Sequence, residues 1–156
     1  MADLSSYSRP EEAIVTHLDW KITVDFDKER LFSEATYSVD VFEKPSTGAE
    51  AEAAAAAAVT RSSTSLNLDT AHLDIVEAKA EDGTPLEFTL HPLVEATPHL
   101  GRRLEIDLPR RSGCFGKQRC KVTVVYSTTK SCLALQWLPP SQTAGKEHPY
   151  LFTQCQ

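Results

Sequence analysis

The 156-residue sequence predicts an all-β fold: about seven or eight antiparallel strands forming a β-sandwich or saddle-like twisted sheets, with a low-complexity Ala-rich loop insert. Two observations carry this. Short runs in which apolar and polar residues alternate recur along most of the chain, and turn-forming residues punctuate them. No run requires a helix. With 41% hydrophobic and 24% charged residues, the chain is sized for one ordinary domain with its own core.

The first run places Leu18, Trp20, Ile22, Val24 and Phe26 at alternate positions, with Asp19, Lys21, Thr23 and Asp25 between them, the pattern of a half-buried strand. Asp27-Lys28-Glu29-Arg30 is a polar turn of hairpin length, after which Leu31, Ala35, Tyr37, Val39 and Val41 share one face. Leu66-Asn67-Leu68-Asp69 is a shorter run. Leu73–Ala78 fits a strand or a helical turn by periodicity alone, and Asp82-Gly83-Thr84-Pro85 favours the strand because an Asp-Gly pair between apolar runs is a strong hairpin signal. Leu86, Phe88 and Leu90 alternate after it. Leu104, Ile106 and Leu108 stop at Pro109, and Val122, Val124 and Tyr126 resume beyond a basic, glycine-containing loop, Arg110–Arg119. Leu133, Leu135 and Trp137 alternate as a core-facing strand would, a simpler reading of Trp137 than a ligand platform.

Two segments stand apart. Residues 1–12 read as a flexible N-terminal tail ahead of a domain over 13–156, and residues 45–65 as a disordered low-complexity insert. Ala49–Ala58 is nearly pure alanine. Alanine favours helix, but so short a helix with no apolar stripe is marginal in water, so the insert is expected to be a loop.

Sixteen basic and twenty-two acidic residues give a formal charge of -6, which opposes attraction to phosphate backbones and anionic membranes. Nucleic acid and membrane are therefore not expected partners. MADLSSYSRPEEA lacks a basic region followed by an apolar core, and no segment approaches the roughly 18 apolar residues of a membrane span, so a cytoplasmic location is expected. Cys114, Cys120, Cys132 and Cys155 match neither a paired zinc ribbon nor a dense disulfide framework and read as reduced thiols, with Cys114 and Cys120 able to approach across a loop.

Catalytic patterns are missing. His17, His72, His91, His99 and His148 include no pair at helical ligand spacing and no His-Glu-x-x-His, in which two imidazoles on one helix face hold zinc while the glutamate activates its water. Around Ser112, the positions a Gly-x-Ser-x-Gly elbow would need as glycine are Arg110 and Cys114. Cys155 and His148 could be imagined as a nucleophilic pair, but sequence separation says nothing of the contact such a pair requires. Phosphate-binding loops are also absent.

The C-terminal stretch is the most specific. The chain ends on Tyr150-Leu151-Phe152-Thr153-Gln154-Cys155-Gln156 with neither a polar tail nor a turn signal, so further polypeptide is expected to follow. Ala134-Leu135-Gln136-Trp137-Leu138, then Gln142–Phe152, then Gln154-Cys155-Gln156, resemble without a gap the end of the N-terminal domain in zinc aminopeptidases of the leukotriene A4 hydrolase and aminopeptidase B type. Weaker similarity runs through His17–Phe26 and Leu66–Thr70. Ser141 and Thr153 stand where relatives more often show Glu and Ser, and the Ala-rich insert is longer than the family's connection there.

The resemblance implies a structural and substrate-cleft domain of a zinc metallo-aminopeptidase that removes N-terminal residues from peptides, truncated before its catalytic domain. It leaves open whether the parent also opens a lipid epoxide. Zinc and the general base would lie outside this chain, in the downstream catalytic domain that is its expected partner. The family's Gly-x-Met-Glu-Asn segment is absent too. Gln154, Cys155 and Gln156 are the expected substrate-binding residues, with Gln156 facing the substrate's α-amine. A primary amide can accept from an ammonium without adding a charge that would need burial. Gly145-Lys146-Glu147-His148-Pro149 resembles the family's connecting turn, with Gly145 supplying a permissive backbone. The alternative is a free-standing, noncatalytic β-sandwich interaction module.

Overall fold

The computed structural model describes residues 5–42, 64–108 and 117–154 and is built of antiparallel strands. Alternation in the first two runs becomes β1 (Ala13–Asp25) and β2 (Arg30–Phe42), joined by the expected tight turn, in which Glu29 takes φ 52. The Lys28 amide donates to Asp25 Oδ1 at 2.9 Å and holds that carboxyl below its ordinary range. Then follow β3 (Ser65–Thr70), β4 (Leu73–Ala80), β5 (Phe88–Leu90), β6 (Arg102–Asp107), β7 (Lys117–Thr128), β8 (Leu135–Leu138) and β9 (Tyr150–Thr153). No α-helix occurs among the described residues, which contain two 3₁₀ turns at Pro98–Leu100 and Pro140–Gln142. No helix among them is long and apolar enough to cross a membrane.

The strands form three sheets in the orders β1-β2-β7-β4, β3-β6-β5 and β8-β9. Register explains the core. Residues directly opposite share a face, so Trp20, Ala35, Val124 and Ala78 form one row across the first sheet, and Leu18, Tyr37, Val122 and Ala80 the next. In the second sheet the inner rows are Leu66-Ile106-Phe88 and Leu68-Leu104-Leu90. Val39, Val122, Val124, Leu104 and Ile106 are the largest fully buried side chains, and the two inner faces meet in one cluster. Burial inside that cluster, with Tyr126 nearby, pushes the Tyr37 hydroxyl pKa up to about 12.

Three expectations change. The strand beginning at Leu18 is not half-buried: beyond Ala13 the inner residues of β1 are open to solvent, Trp20 being 52% exposed. Periodicity reports which residues share a face, but a second layer must cover that face, and the buried cluster against the β3-β6-β5 sheet takes in residues of β2, β7 and β4 but only Ala13 of β1. The Asp82-Gly83 turn forms, with Gly83 at φ 85 and the Ala80 amide donating to Thr84 O at 2.8 Å, but it is a corner between sheets. After a single bridge, Lys79 to Pro85, the chain leaves β4 and β5 pairs with β6. Leu133, expected in a core-facing strand, sits in the turn before β8 and is 80% exposed. Trp137 lies outside the buried cluster, half-buried, with its ring set edge-on to Phe26 at 5.6 Å and 88°.

Of the expected tail, Ser6 Oγ donates to Asp69 Oδ2 at 2.7 Å and the Tyr7 amide to Asp69 Oδ1 at 2.8 Å, tying Ser6 and Tyr7 to β3. The Ala-rich insert lies outside the described residues apart from its last two, Thr64 and Ser65, the latter opening β3. Cys114, with most of the Arg110–Arg119 loop, also lies outside them, and β7 begins at Lys117 within that loop's expected span.

Candidate substrate-facing groove

The β8-β9 ribbon ends where Trp137 pairs with Leu151 and Leu135 with Thr153. The next amide, Gln154 N–H, donates to Ala134 O at 2.9 Å, fixing the backbone of Gln154 at the ribbon's end. Gly145, at φ 79, and Lys146, at φ 56, make the turn that returns the chain into β9, as expected of Gly145. Thr143 Oγ1 steadies this loop by donating to the carbonyl oxygen of His148 at 2.7 Å.

Gln154 lines a groove of about 790 Å³. Across from the ribbon the walls come from the β3–β4 link and the start of β6, bringing His72, His99 and Arg102 to the same groove as Cys132 and Gln154. His72 takes φ 57 in the two-residue link between β3 and β4. Gly101, at φ 67, packs so closely on Thr70 that a Cβ would overlap that residue's carbonyl oxygen. Arg102 is committed to backbone carbonyls, donating from Nε to His91 O at 2.8 Å and from Nη2 to Leu90 O at 3.0 Å, so its charge is held in the wall.

Among the described residues the lining carries imidazoles, a guanidinium, a thiol and an amide, and no carboxylate. An ammonium group placed here would find a neutral acceptor in the amide of Gln154. No group of three His, Cys, Asp or Glu side chains that could hold a metal occurs among the described residues. Zinc requires about four such donors, three in a catalytic site, so this part of the chain does not fit the ion.

Of the three expected substrate-binding residues, Gln154 is placed in the groove, and Cys155 and Gln156 lie outside the described residues. The histidines are dispersed. His17 Nε2 lies 3.4 Å from Asp19 Oδ1, His91 Nε2 lies 2.7 Å from Glu105 Oε2, and His72 and His99 share the groove with no acidic neighbour in its lining. Sequence reasoning missed His72, His99, Arg102 and Cys132 as groove residues, because three separate connections deliver them and no local spacing records their meeting.

No protein-family model matches the chain. It is 35% identical over 154 residues to leucine aminopeptidase 2 of Yarrowia lipolytica, a match covering 99% of this chain and 20% of that protein. It is 34% identical to leukotriene A-4 hydrolase of Xenopus laevis, over 100% of this chain and 22% of that protein. Among solved structures, yeast leukotriene A4 hydrolase in complex with bestatin superposes with a TM-score of 0.71 at 27% identity, over 99% of this chain and 20% of that one. The chain thus spans about a fifth of the length of the relatives it matches. Almost the whole chain is homologous to the N-terminal portion of the leucine aminopeptidase 2 and leukotriene A4 hydrolase proteins, and it carries the β-rich fold of that portion.

Proposed function

We propose that this chain is the N-terminal structural and substrate-cleft domain of a cytosolic, zinc-dependent aminopeptidase, with the metal and the general base supplied by polypeptide outside residues 1–156. The observation that carries the reading is the likeness of almost the whole chain, in sequence and in fold, to a fifth of proteins whose names state aminopeptidase or leukotriene A4 hydrolase activity. The groove supports it chemically. Gln154 stands at the end of the β8-β9 ribbon and lines an open groove, with Cys155 and Gln156 immediately following in sequence. In this reading the amides of Gln154 and Gln156 accept from the substrate's α-ammonium group, and a carboxylate from the rest of the parent neutralises it. Zinc, where the parent binds it, supplies an activated water for amide hydrolysis. Epoxide opening is a second activity such a parent would be tested for.

The test begins with the coding sequence beyond codon 156, where an in-frame His-Glu-x-x-His is expected. The parent enzyme should cleave aminoacyl arylamides, and Gln156→Ala should weaken kcat/KM by about tenfold, the loss of one hydrogen bond to a charged group. Gln156→Ala with unchanged kcat/KM would remove the amide from the amine contact. A parent without peptidase activity would sink the whole reading in favour of an interaction module.

A further inference from the structure

We infer that Ser6 is a phosphorylation site, and that residues 5–12 form a strap closed on β3 while Ser6 is unmodified and released when it carries a phosphate. The inference stands apart from the peptidase reading. Ser6 and Tyr7 are tied to β3 through one carboxylate: Ser6 Oγ donates to Asp69 Oδ2 at 2.7 Å, and the Tyr7 amide donates to Asp69 Oδ1 at 2.8 Å. Ser6 Oγ also holds the strap's own turn, accepting from the Ser8 amide at 3.0 Å. The other end is fixed separately, because the Ala13 amide donates to Arg9 O at 3.0 Å and the Phe42 amide to Glu12 O at 2.8 Å. One of the two bonds at Asp69 therefore depends on a hydroxyl hydrogen, and that hydrogen is what a phosphate replaces.

The closed strap is held with little to spare. The Tyr7 hydroxyl is buried with no hydrogen-bond partner, and so is Oδ1 of Asn67, which stands two residues before Asp69 and hence on the same face of β3. A buried polar group without a partner costs about as much as a charge-assisted hydrogen bond contributes, so the closed position carries a standing cost against its ties to Asp69. Opening hydrates the Tyr7 hydroxyl and uncovers the face on which Asn67 stands. The segment is also accessible, with Ser5, Ser8, Arg9, Pro10 and Glu11 exposed and residues 5–12 belonging to no strand.

Phosphorylation acts on this contact by charge and by hydrogen bonding at once. Ser6 Oγ attacks the γ-phosphorus of a nucleoside triphosphate held by a protein kinase. An Oγ–P bond forms, the bond from that phosphorus to the bridging oxygen breaks, the diphosphate leaves, and the hydroxyl proton passes to the kinase's base. The ester oxygen then has no hydrogen for Asp69, and a group of about −1.5 to −2 charge stands beside the carboxylate. The guanidinium next along the strap and the one across the ladder are both engaged with carboxylates. Arg9 Nη1 lies 3.7 Å from Glu12 Oε2, and Arg103, opposite Asp69, has Nη2 3.3 Å from Glu105 Oε2 and 3.0 Å from His91 Nε2. Asp69 precedes Thr70, which lines the groove, so the strap is tied one residue from the groove wall.

The experiment installs phosphoserine at residue 6 of the full-length protein by codon suppression and follows hydrogen exchange of the Tyr7 amide by mass spectrometry. Unmodified protein, Ser6→Ala, Asp69→Asn, Ser6→Glu and the Ser6→Glu, Asp69→Asn pair are measured beside it. Ser6 and Asp69 lie outside the core cluster, so the fold should survive each change. The phosphorylated protein should exchange Tyr7 about tenfold faster than the unmodified one, with Ser6→Ala in between. Asp69→Asn should slow the exchange of Ser6→Glu, because it removes the repelling charge and leaves an oxygen for the Tyr7 amide. Unchanged exchange in the phosphorylated protein would overturn the strap, as would slower exchange, which assigns the phosphate to Arg9 or Arg103. Phosphopeptide mapping of the protein taken from its own cells should find phosphate on Ser6. Phosphate on Ser5 or Ser8 alone, or none in the segment, would overturn the site.

Discussion

At Gly101 the backbone takes φ 67 and ψ -139, a conformation essentially reserved for glycine, while the carbonyl oxygen of Thr70 fills the space a Cβ would occupy. Strain and overlap act together, so Gly101→Ala should destabilise the fold by about 2–3 kcal/mol in urea denaturation and distort the groove wall next to Arg102. A loss under about 0.5 kcal/mol would mean that the β3–β4 link moves aside easily, as an ordinary surface site does. Glu105 is the other informative single residue. Burial acts to raise its pKa, but the hydrogen bond from His91, the charge of Arg103 3.3 Å away, a hydrogen bond from Ser65 and the charge of His91 outweigh it, leaving the carboxyl below its ordinary value. A carboxyl whose folded pKa is depressed stabilises above its unfolded pKa of about 4.3, and the contribution disappears as pH falls through the folded value. Glu105→Gln should therefore cost about 1 kcal/mol at pH 7 and flatten the fall in stability below about pH 4.3, measured by denaturation across that window. A variant whose acid limb matches the parent sequence's would assign the acid sensitivity to other carboxylates.

Two isoleucines show what strand periodicity does and does not report. Ile106 on β6 and Ile22 on β1 occupy equivalent apolar positions in alternating runs, yet Ile106 is 0% exposed and Ile22 is 42%. Ile106→Ala should cost about 3 kcal/mol through lost transfer energy and a cavity between Leu66 and Phe88, whereas Ile22→Ala should cost less than about 1 kcal/mol in this chain. Comparable losses would show β1 to be covered. Alternation made the strands legible from Leu18 to Tyr126, and the turns at Asp27–Arg30, Asp82–Pro85 and Gly145–Pro149 lie where glycine and polar residues suggested. Which strands pair was less legible. Nothing local to Asp82-Gly83 distinguishes a hairpin from the corner that sends Phe88 to β6, because that choice is settled by packing against residues far along the chain. The same limit governs the site. Resemblance singled out Gln154, but the meeting of His72, His99 and Arg102 opposite it is a product of topology.

For the molecule as a whole, the open β1 face and the acidic charge act against one another. Twenty-two acidic and sixteen basic residues give -6 at neutral pH, and the sequence pI is about 5.3. Like-charge repulsion between copies opposes contact of the apolar strip Leu18-Trp20-Ile22-Val24 with its equal. As pH falls toward 5.3 that repulsion fades while the apolar attraction is unchanged, so the isolated chain should pass from monomer to larger species between pH 7.5 and 5.5 by light scattering. Salt should promote the same change at pH 7.5, since a Debye length of about 8 Å at physiological ionic strength shortens to about 3 Å at 1 M. The surface responsible is identified by changing the strip without changing the charge. Trp20→Gln with Ile22→Gln leaves every ionisable group in place, and both positions are already half-solvated, so folding should survive. This double variant should remain monomeric at pH 5.5. If it associates as readily as the unmodified chain, β1 is not the adhesive surface, and the exposed residues of the ribbon, Tyr150 and Phe152, become the ones to replace.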